Sequence, residues 1–218
     1  MQSQNQITEK LFNNWWYLLQ PFGVEQVAAE KAFTQLVTAY SSPGRYYHTL
    51  EHIDHVLNTI QTLQNQVQDL PAVQFAAWFH DVIYDAQAQN NEENSAIYAV
   101  EVLKSLTIPS HTITKTSTLI LHTKYHQAQS DDFDPQVLLD ADLAILGTHP
   151  LKYRQYALAI RQEYAWLPDA IYLAGRKKVL QRFLQRHRIY FTDLMFANFE
   201  LSARHNLEAE IQSIEQIS

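Results

Sequence analysis

Ten histidines in 218 residues supply this chain with many side chains that can bind a metal ion or transfer a proton. Several lie at helical spacing, with His48, His52 and His55 in one segment and His122 and His126 in another. Residues three or four apart share a helix face, so such histidines can bind one metal ion together. Pairs of this kind also arise by chance in a histidine-rich chain, so spacing alone leaves their role open.

Three aspartates lie in surroundings that are mostly apolar. Asp81 follows His80 directly after the apolar stretch 75–79, and Asp140 and Asp142 stand among aliphatic residues. A buried and isolated carboxylate is costly unless it is paired or bound to a metal ion. Each aspartate could instead cap a backbone group or face solvent, and the local sequence does not choose between these roles.

These residues fall within four short blocks that follow one another in a fixed order. The blocks are RYYHTLEHI (45–53), AWFHDVIYD (77–85), NEENSA (91–96) and LDADLAILG (139–147). In residue type, order and spacing they resemble the HD superfamily of metal-dependent phosphohydrolases, and within it a bacterial subgroup of predicted phosphohydrolases. The segments RQEY (161–164) and ELSARHNL (200–207) are similar to that subgroup too, so the resemblance runs from about residue 45 to about residue 210.

The resemblance implies a divalent-metal site with four ligands, His52, His80, Asp81 and Asp142. His48 is the alternative to His52, which we prefer because the family's first histidine is usually followed four positions later by a small aliphatic residue, here Val56. Asp140 is the alternative to Asp142, which we prefer because the family's last aspartate follows a small residue and precedes an aliphatic or basic one. Asp140 would then support the site or cap a backbone group.

The resemblance implies hydrolytic chemistry, and the implied ligand set can support it. Neutral imidazoles and ionised carboxylates bind Mn, Fe, Co, Ni, Zn or Mg, and two imidazoles make Mg the least suited because it prefers oxygen ligands. Such an ion polarises a phosphoryl oxygen and lowers the pKa of a bound water from about 15.7 toward 7. The resemblance gives Asp81 the further catalytic role of orienting that water. Glu92 is the candidate for proton transfer, although a carboxylate at this position could simply stabilise a helix start.

A phosphorylated substrate also needs hydrogen-bond donors or positive charge beyond the metal ion. The substrate-binding candidates within or beside the matching blocks are Arg45, His122, Lys124, Arg161 and Arg204. Arginine can bind a phosphate through two parallel hydrogen bonds. For Arg161 and Arg204, ion pairs on an exposed helix face are the alternative. We expect a small phosphorylated molecule as the substrate, with a nucleotide as one candidate.

Two other functions would keep the metal site. A dinuclear-iron oxygenase of HD type would need further ligands, which His122 and His126 could supply. A non-catalytic module that binds a metal ion or a nucleotide would need a closed coordination shell with no open position.

Composition excludes several classes of function. The net charge is −7 and no dense run of Lys or Arg occurs, which argues against a general nucleic-acid surface. The absence of cysteine excludes disulfides, thiolate ligands and a cysteine nucleophile, and it fits a reducing compartment. No apolar run approaches the roughly 20 residues that span a bilayer. We therefore expect a cytoplasmic protein without membrane contact, and a homodimer stays open as an alternative.

The elements that position these residues are predicted to be helices throughout. Apolar residues recur at helical spacing in about ten segments, near 8–19, 24–40, 47–63, 72–79, 91–105, 109–126, 134–147, 150–166, 168–187 and 195–214. The best strand candidate, 188–192, is too short to matter. We expect one all-α domain over 1–218, an HD-type bundle with its motif-bearing core at about 45–147 and the C-terminal helices 148–214 packed on it.

Overall fold

The computed structural model describes residues 2–129 and 131–217, with side chains described for 5–129 and 131–216. Within these ranges the chain forms ten α-helices and no strand, which confirms the predicted all-α class. The helices are α1 (Gln2–Leu19), α2 (Gln26–Tyr40), α3 (Leu50–Leu63), α4 (Leu70–Phe79), α5 (Asn91–Ser105), α6 (Ser110–Thr123), α7 (Phe133–Asp142), α8 (Pro150–Glu163), α9 (Asp169–Leu184) and α10 (Asp193–Ile217). Short 3₁₀ segments occupy Gln20–Phe22, Gln64–Gln66 and Leu143–Gly147.

Helix α4 is the centre of the bundle. Its side chains are buried at seven of ten positions, and α3, α5, α6 and α7 pack around it. Asp69 caps its start by accepting a hydrogen bond from the Ala72 amide at 3.1 Å, with proline in the first turn. Trp15 of α1 covers α4 through edge-to-face ring contacts, the shortest with Trp78 at 5.5 Å between centroids. His80 therefore leaves the end of a helix that lies deep in the core.

Four helices, α6 to α9, end three to five residues earlier than the sequence predicts. Helix α6 stops at Thr123, and three residues later His126 has a φ of 49°, which no α-helix can contain. Helix α7 stops at Asp142 and continues as 3₁₀ turns to Gly147. A Cβ at Gly147 would lie 2.7 Å from the Cβ of Phe199, so this glycine permits α10 to pack closely against the segment.

The segment 188–192, a strand candidate that the sequence analysis judged too short to matter, forms no strand. Its backbone amides bind carboxylates instead of a neighbouring strand: Glu200 accepts from Ile189 and Tyr190, and Asp140 accepts from the next two residues. Satisfying these amides with buried side chains removes the need for a sheet partner. The loop leads directly into α10, which packs on α9 and on the 3₁₀ segment after α7. None of the described helices is both long and apolar enough to cross a membrane.

Candidate metal centre

The ends of α3, α4 and α7 bring the four predicted ligands to one place. His52 lies in the first turn of α3, His80 caps the C-terminus of α4 with Asp81 after it, and Asp142 is the last residue of α7. The amide of His80 still bonds to the Ala76 carbonyl at 2.9 Å, so the ring keeps a helical position while the chain begins to turn away. Residues far apart in the chain thus meet because three buried helices end or begin together.

Three of these side chains form a buried group that could hold a metal ion. The Nε2 atoms of His52 and His80 are 3.1 Å apart, and Asp81 Oδ2 lies 3.0 Å from His80 Nε2 and 3.4 Å from His52 Nε2. All three ligand atoms lie within 4.8 Å of one another. Metal–ligand bonds of about 2.0–2.2 Å place neighbouring ligands about 3.0 Å apart in an octahedral shell and about 3.4 Å apart in a tetrahedral one. The observed separations therefore fit a first-row dication.

The hydrogen bond of the second ring nitrogen of His80 also agrees with metal binding. His80 Nδ1 lies 2.9 Å from the Ala77 carbonyl oxygen. A carbonyl can only accept, so Nδ1 carries the proton and the lone pair of the neutral ring is on Nε2, which faces the cluster. His52 Nδ1 is buried without a hydrogen-bond partner, which leaves Nε2 as its only contact with polar groups in the described part of the chain. This tautomer of His80 is the one that metal ligation requires.

Asp142 links the cluster to His126. Its Oδ1 atom lies 3.4 Å from His52 Nε2 and 3.6 Å from His80 Nε2, and its Oδ2 atom lies 3.0 Å from His126 Nε2. The left-handed backbone of His126 is uncommon for a residue other than glycine and costs on the order of 1–3 kcal/mol. This backbone turns the imidazole toward Asp142. From the sequence, His126 was a candidate for binding a second metal ion or the substrate together with His122, and it was not one of the four predicted ligands.

Asp140 points away from the cluster, although it lies only two residues before Asp142. Its two oxygens accept hydrogen bonds of 2.7 Å from the Phe191 amide, the Thr192 amide and the Thr192 hydroxyl. Burial raises the pKa of Asp140 to about 6, against the lowering effect of these donors. Asp140 therefore anchors the start of α10, and Asp142 is the one that faces the imidazoles.

The histidines and aspartates of the site shift one another's pKa. Burial alone opposes protonation of His80, but the carboxylates of Asp81 and Asp142 outweigh it and raise the pKa of His80 well above its usual value. Burial also raises the carboxyl pKa of both aspartates, but the neighbouring imidazoles outweigh it and hold each pKa well below its usual range. Two ionised carboxylates in one buried place attract a cation.

His48 is not part of the group formed by His52, His80 and Asp81, but the buried carboxylate of Glu163 holds it beside that group. Its Nδ1 atom donates to Glu163 Oε2 at 2.6 Å, and its Nε2 atom lies 3.9 Å from Asp81 Oδ2. Glu163 Oε1 accepts from the amides of residues 46, 47 and 48, and Oε2 accepts from the Tyr84 hydroxyl at 2.8 Å. Burial alone raises the pKa of Glu163, but His48 and these amides lower it to about 2.

A cavity of about 700 Å³ opens beside the cluster. His80, Asp81 and Asp142 line one side of it, together with His48, His126, Glu92 and Lys124. Helices α8 and α9 and the residue that follows α8 also line it and contribute three tyrosines: Tyr156, Tyr164 and Tyr172. The Glu92 side chain makes no hydrogen bond or ion pair with other described residues, and it lines the cavity near the charge of Lys124. The cavity is large enough for a small organic molecule.

Two of the five predicted substrate-binding residues, Arg45 and His122, lie outside the cavity. Arg45 lies outside the cavity and donates to the carbonyls of His48, Asp81 and Val82 at 2.7–3.1 Å, which supports the turn that carries Asp81. His122 lies on a separate surface depression, where its Nδ1 atom contacts the Gln127 carbonyl at 2.9 Å.

The other three are also occupied by groups of the chain itself. Lys124 lines the cavity, but it is paired with Glu93 and bonded to the Gln89 carbonyl. Arg161 closes the end of α8 by binding Asp169 and two carbonyls, and Arg204 binds Glu200 and three carbonyls. Of the five, only Lys124 faces the cavity.

Sequence reasoning missed Glu163 as the partner of His48 and missed the contribution of α9. Glu163 was noted only within the RQEY block. On α9 the available signal was a row of aromatic and basic residues at helical spacing, namely Tyr172, Arg176 and Phe183. Such a row is equally typical of an ordinary packed helix, so it did not identify a cavity wall.

Comparison of the chain with family models, with curated proteins and with solved structures found no significant match. The cluster, the cavity and the residues between them are therefore the observations from which a function can be argued.

Proposed function

We propose that the protein is a metal-dependent phosphohydrolase of HD type that acts on a small phosphorylated molecule. One observation carries the proposal: His52, His80 and Asp81 converge within 4.8 Å at the wall of a cavity of about 700 Å³. A buried structural metal site would not need an adjoining space of this size. The resemblance of the four sequence blocks to the HD superfamily supplies the reaction class.

In this proposal His52, His80, Asp81 and Asp142 bind the dication through imidazole nitrogens and carboxylate oxygens. The bound ion would supply Lewis acidity and a nucleophilic water. The chain's own residues then orient the reactants. Asp81 has a second oxygen that can accept a hydrogen bond from the attacking water. Arg45 keeps Asp81 in place by binding its carbonyl at 2.7 Å.

Glu92 is the proposed proton acceptor. It lies in the first turn of α5, where a carboxylate is also favourable for the helix dipole. Unlike its neighbour Glu93, which is paired with Lys124, it has no ion-pair partner in the described structure and it lines the cavity. A proton acceptor must be accessible to substrate, and Glu92 meets that requirement.

The test is phosphate release from a panel of phosphomonoesters and nucleotides, measured with Mn, Co, Ni and Mg. We expect activity with at least one metal and its loss in Asp81→Asn. Asp85→Asn is the matched control, because Asp85 is exposed and lies outside the cluster. If no metal-loaded preparation releases phosphate while a control phosphatase does, the proposal fails.

The dinuclear-iron alternative needs further ligands. Of the two candidates, His122 and His126, only His126 lies at the centre. Metal analysis separates the two functions, since two irons per chain together with oxygen consumption would replace hydrolysis by oxygenation.

A further inference from the structure

One face of α9 lines the cavity beside the metal centre. Its residues at helical spacing include Tyr172, Gly175, Arg176, Val179, Arg182 and Phe183. The ring of Phe183 lies 6.0 Å from the ring of His126, whose Nε2 atom is 3.0 Å from Asp142. The last turn of α9 therefore lies next to the metal centre, and Arg182 belongs to that turn.

Three lysine or arginine side chains line the cavity, and two of them are neutralised by acids. Lys124 is paired with Glu93, and Arg176 is paired with Glu210 through hydrogen bonds of 2.8 and 3.0 Å. Arg182 has no hydrogen-bond, ion-pair or ring partner among the described residues, and its side chain is exposed. It thus brings an uncompensated positive charge to the cavity.

A helix-stabilising role is the alternative for Arg182. A cation in the last turn of a helix interacts favourably with the helix dipole, by about 0.3–1 kcal/mol. That role does not depend on which face of the helix carries the cation. Interaction with the helix dipole therefore does not explain why Arg182 lies on the cavity face, next to Phe183.

We propose that Arg182 binds a phosphate group of the molecule that occupies the cavity, beside the metal centre. The inference rests on the proposed function in so far as the ligand is phosphorylated. A guanidinium binds a phosphate through two parallel hydrogen bonds, and an unpaired guanidinium need not first break an ion pair. Arg182 therefore takes the role predicted for Arg45 and Arg161, whose guanidinium groups are already bonded to backbone carbonyls and, for Arg161, to Asp169.

The test measures binding of inorganic phosphate to the full chain loaded with Mn, by calorimetry at constant ionic strength. We expect Arg182→Gln to raise the Kd for phosphate about tenfold, because a charge-assisted pair is lost. Arg182→Lys keeps the charge and should recover much of the affinity. Lys178→Gln removes a charge from the same helix outside the cavity, and it should change the Kd less than about twofold.

The melting temperature of each variant separates this role from helix stabilisation. If Arg182→Gln lowers the melting temperature but binds phosphate as the wild type does, the inference is overturned. Equal losses of affinity in Arg182→Gln and Lys178→Gln, or no phosphate binding by the wild type, overturn it as well. Phosphate binding that depends on Arg182 without any hydrolysis would refute the proposed reaction alone, whereas hydrolysis with unchanged phosphate affinity in Arg182→Gln would refute this subsite alone.

Discussion

The Nε2 atoms of His52 and His80 lie 3.1 Å apart in the interior of the protein, although 28 positions separate the two residues in the chain. Two neutral rings cannot both present lone pairs to each other at this distance without repulsion. A proton or a metal ion between them relieves it. The two carboxylates at 3.0–3.6 Å provide the negative charge that favours a dication.

Metal binding should stabilise the fold, and His52→Gln should remove most of that effect. A ligand that binds only the folded state stabilises it by about 2.7 kcal/mol at a concentration one hundred times its Kd. We expect Mn, Co or Zn to raise the melting temperature of the wild type and to have little effect on the variant. His111→Gln is the control, because His111 is exposed on α6. An equal metal response in both variants would contradict the assignment of His52.

Asp142 and Asp140 should respond differently to the same substitution. Asp142→Asn should weaken metal binding at least tenfold, measured by equilibrium dialysis, while the helical circular dichroism is retained. Asp140→Ala should leave two buried amides of the loop before α10 unsatisfied, each costing about 1–3 kcal/mol of unfolding free energy. Its metal affinity should stay near that of the wild type. If Asp140→Ala weakened metal binding and Asp142→Asn lowered only the unfolding free energy, Asp140 would be the ligand and Asp142 the structural residue.

Glu163 should stabilise the fold in a pH-dependent way. Its pKa is about 2 in the folded state against a usual 4.5, so its contribution is fully present above pH 4.5 and is lost as the pH falls toward 2. The contribution is at most about 3 kcal/mol. Urea unfolding of the wild type and Glu163→Gln should show a difference at pH 7 that shrinks by about half at pH 3. A difference that does not change with pH would mean that the charge of Glu163 contributes nothing.

The size of the side chain at position 175 should affect which substrates fit the cavity. It lies in the middle of α9 on the cavity face, and a Cβ built there meets no atom within 4 Å. Gly175→Ala should therefore raise the unfolding free energy by about 0.5–1 kcal/mol, as measured by urea denaturation. Gly175→Phe should narrow the cavity and raise KM for a bulky phosphomonoester more than for a small one. Equal effects on both substrates would place the substrate elsewhere.

The helical class and most helix boundaries could be predicted from the sequence, because apolar periodicity and capping residues act locally. The start of α4, for example, has local signals, since Asp69 caps it and Pro71 stands in its first turn. The apolar stretch before His80 and Asp81 indicated locally that they are near the core, but only the family pattern identified them as ligands. The choice of Asp142 over Asp140 depended on a family pattern, because both stand in the same apolar surroundings.

Other features depended on the tertiary structure. Whether Arg45 faces a ligand or a carbonyl is decided by the turn at Asp81, which packing of α4 against its neighbours creates. The pairing of Glu163 with His48 joins residues 115 positions apart, and the free charge of Arg182 depends on where α9 packs. Residue types and local periodicity thus determined the helices and the ligand chemistry. Long-range packing decided which charged groups are neutralised and which face the cavity, because charge pairing depends on distances that helix spacing alone does not set.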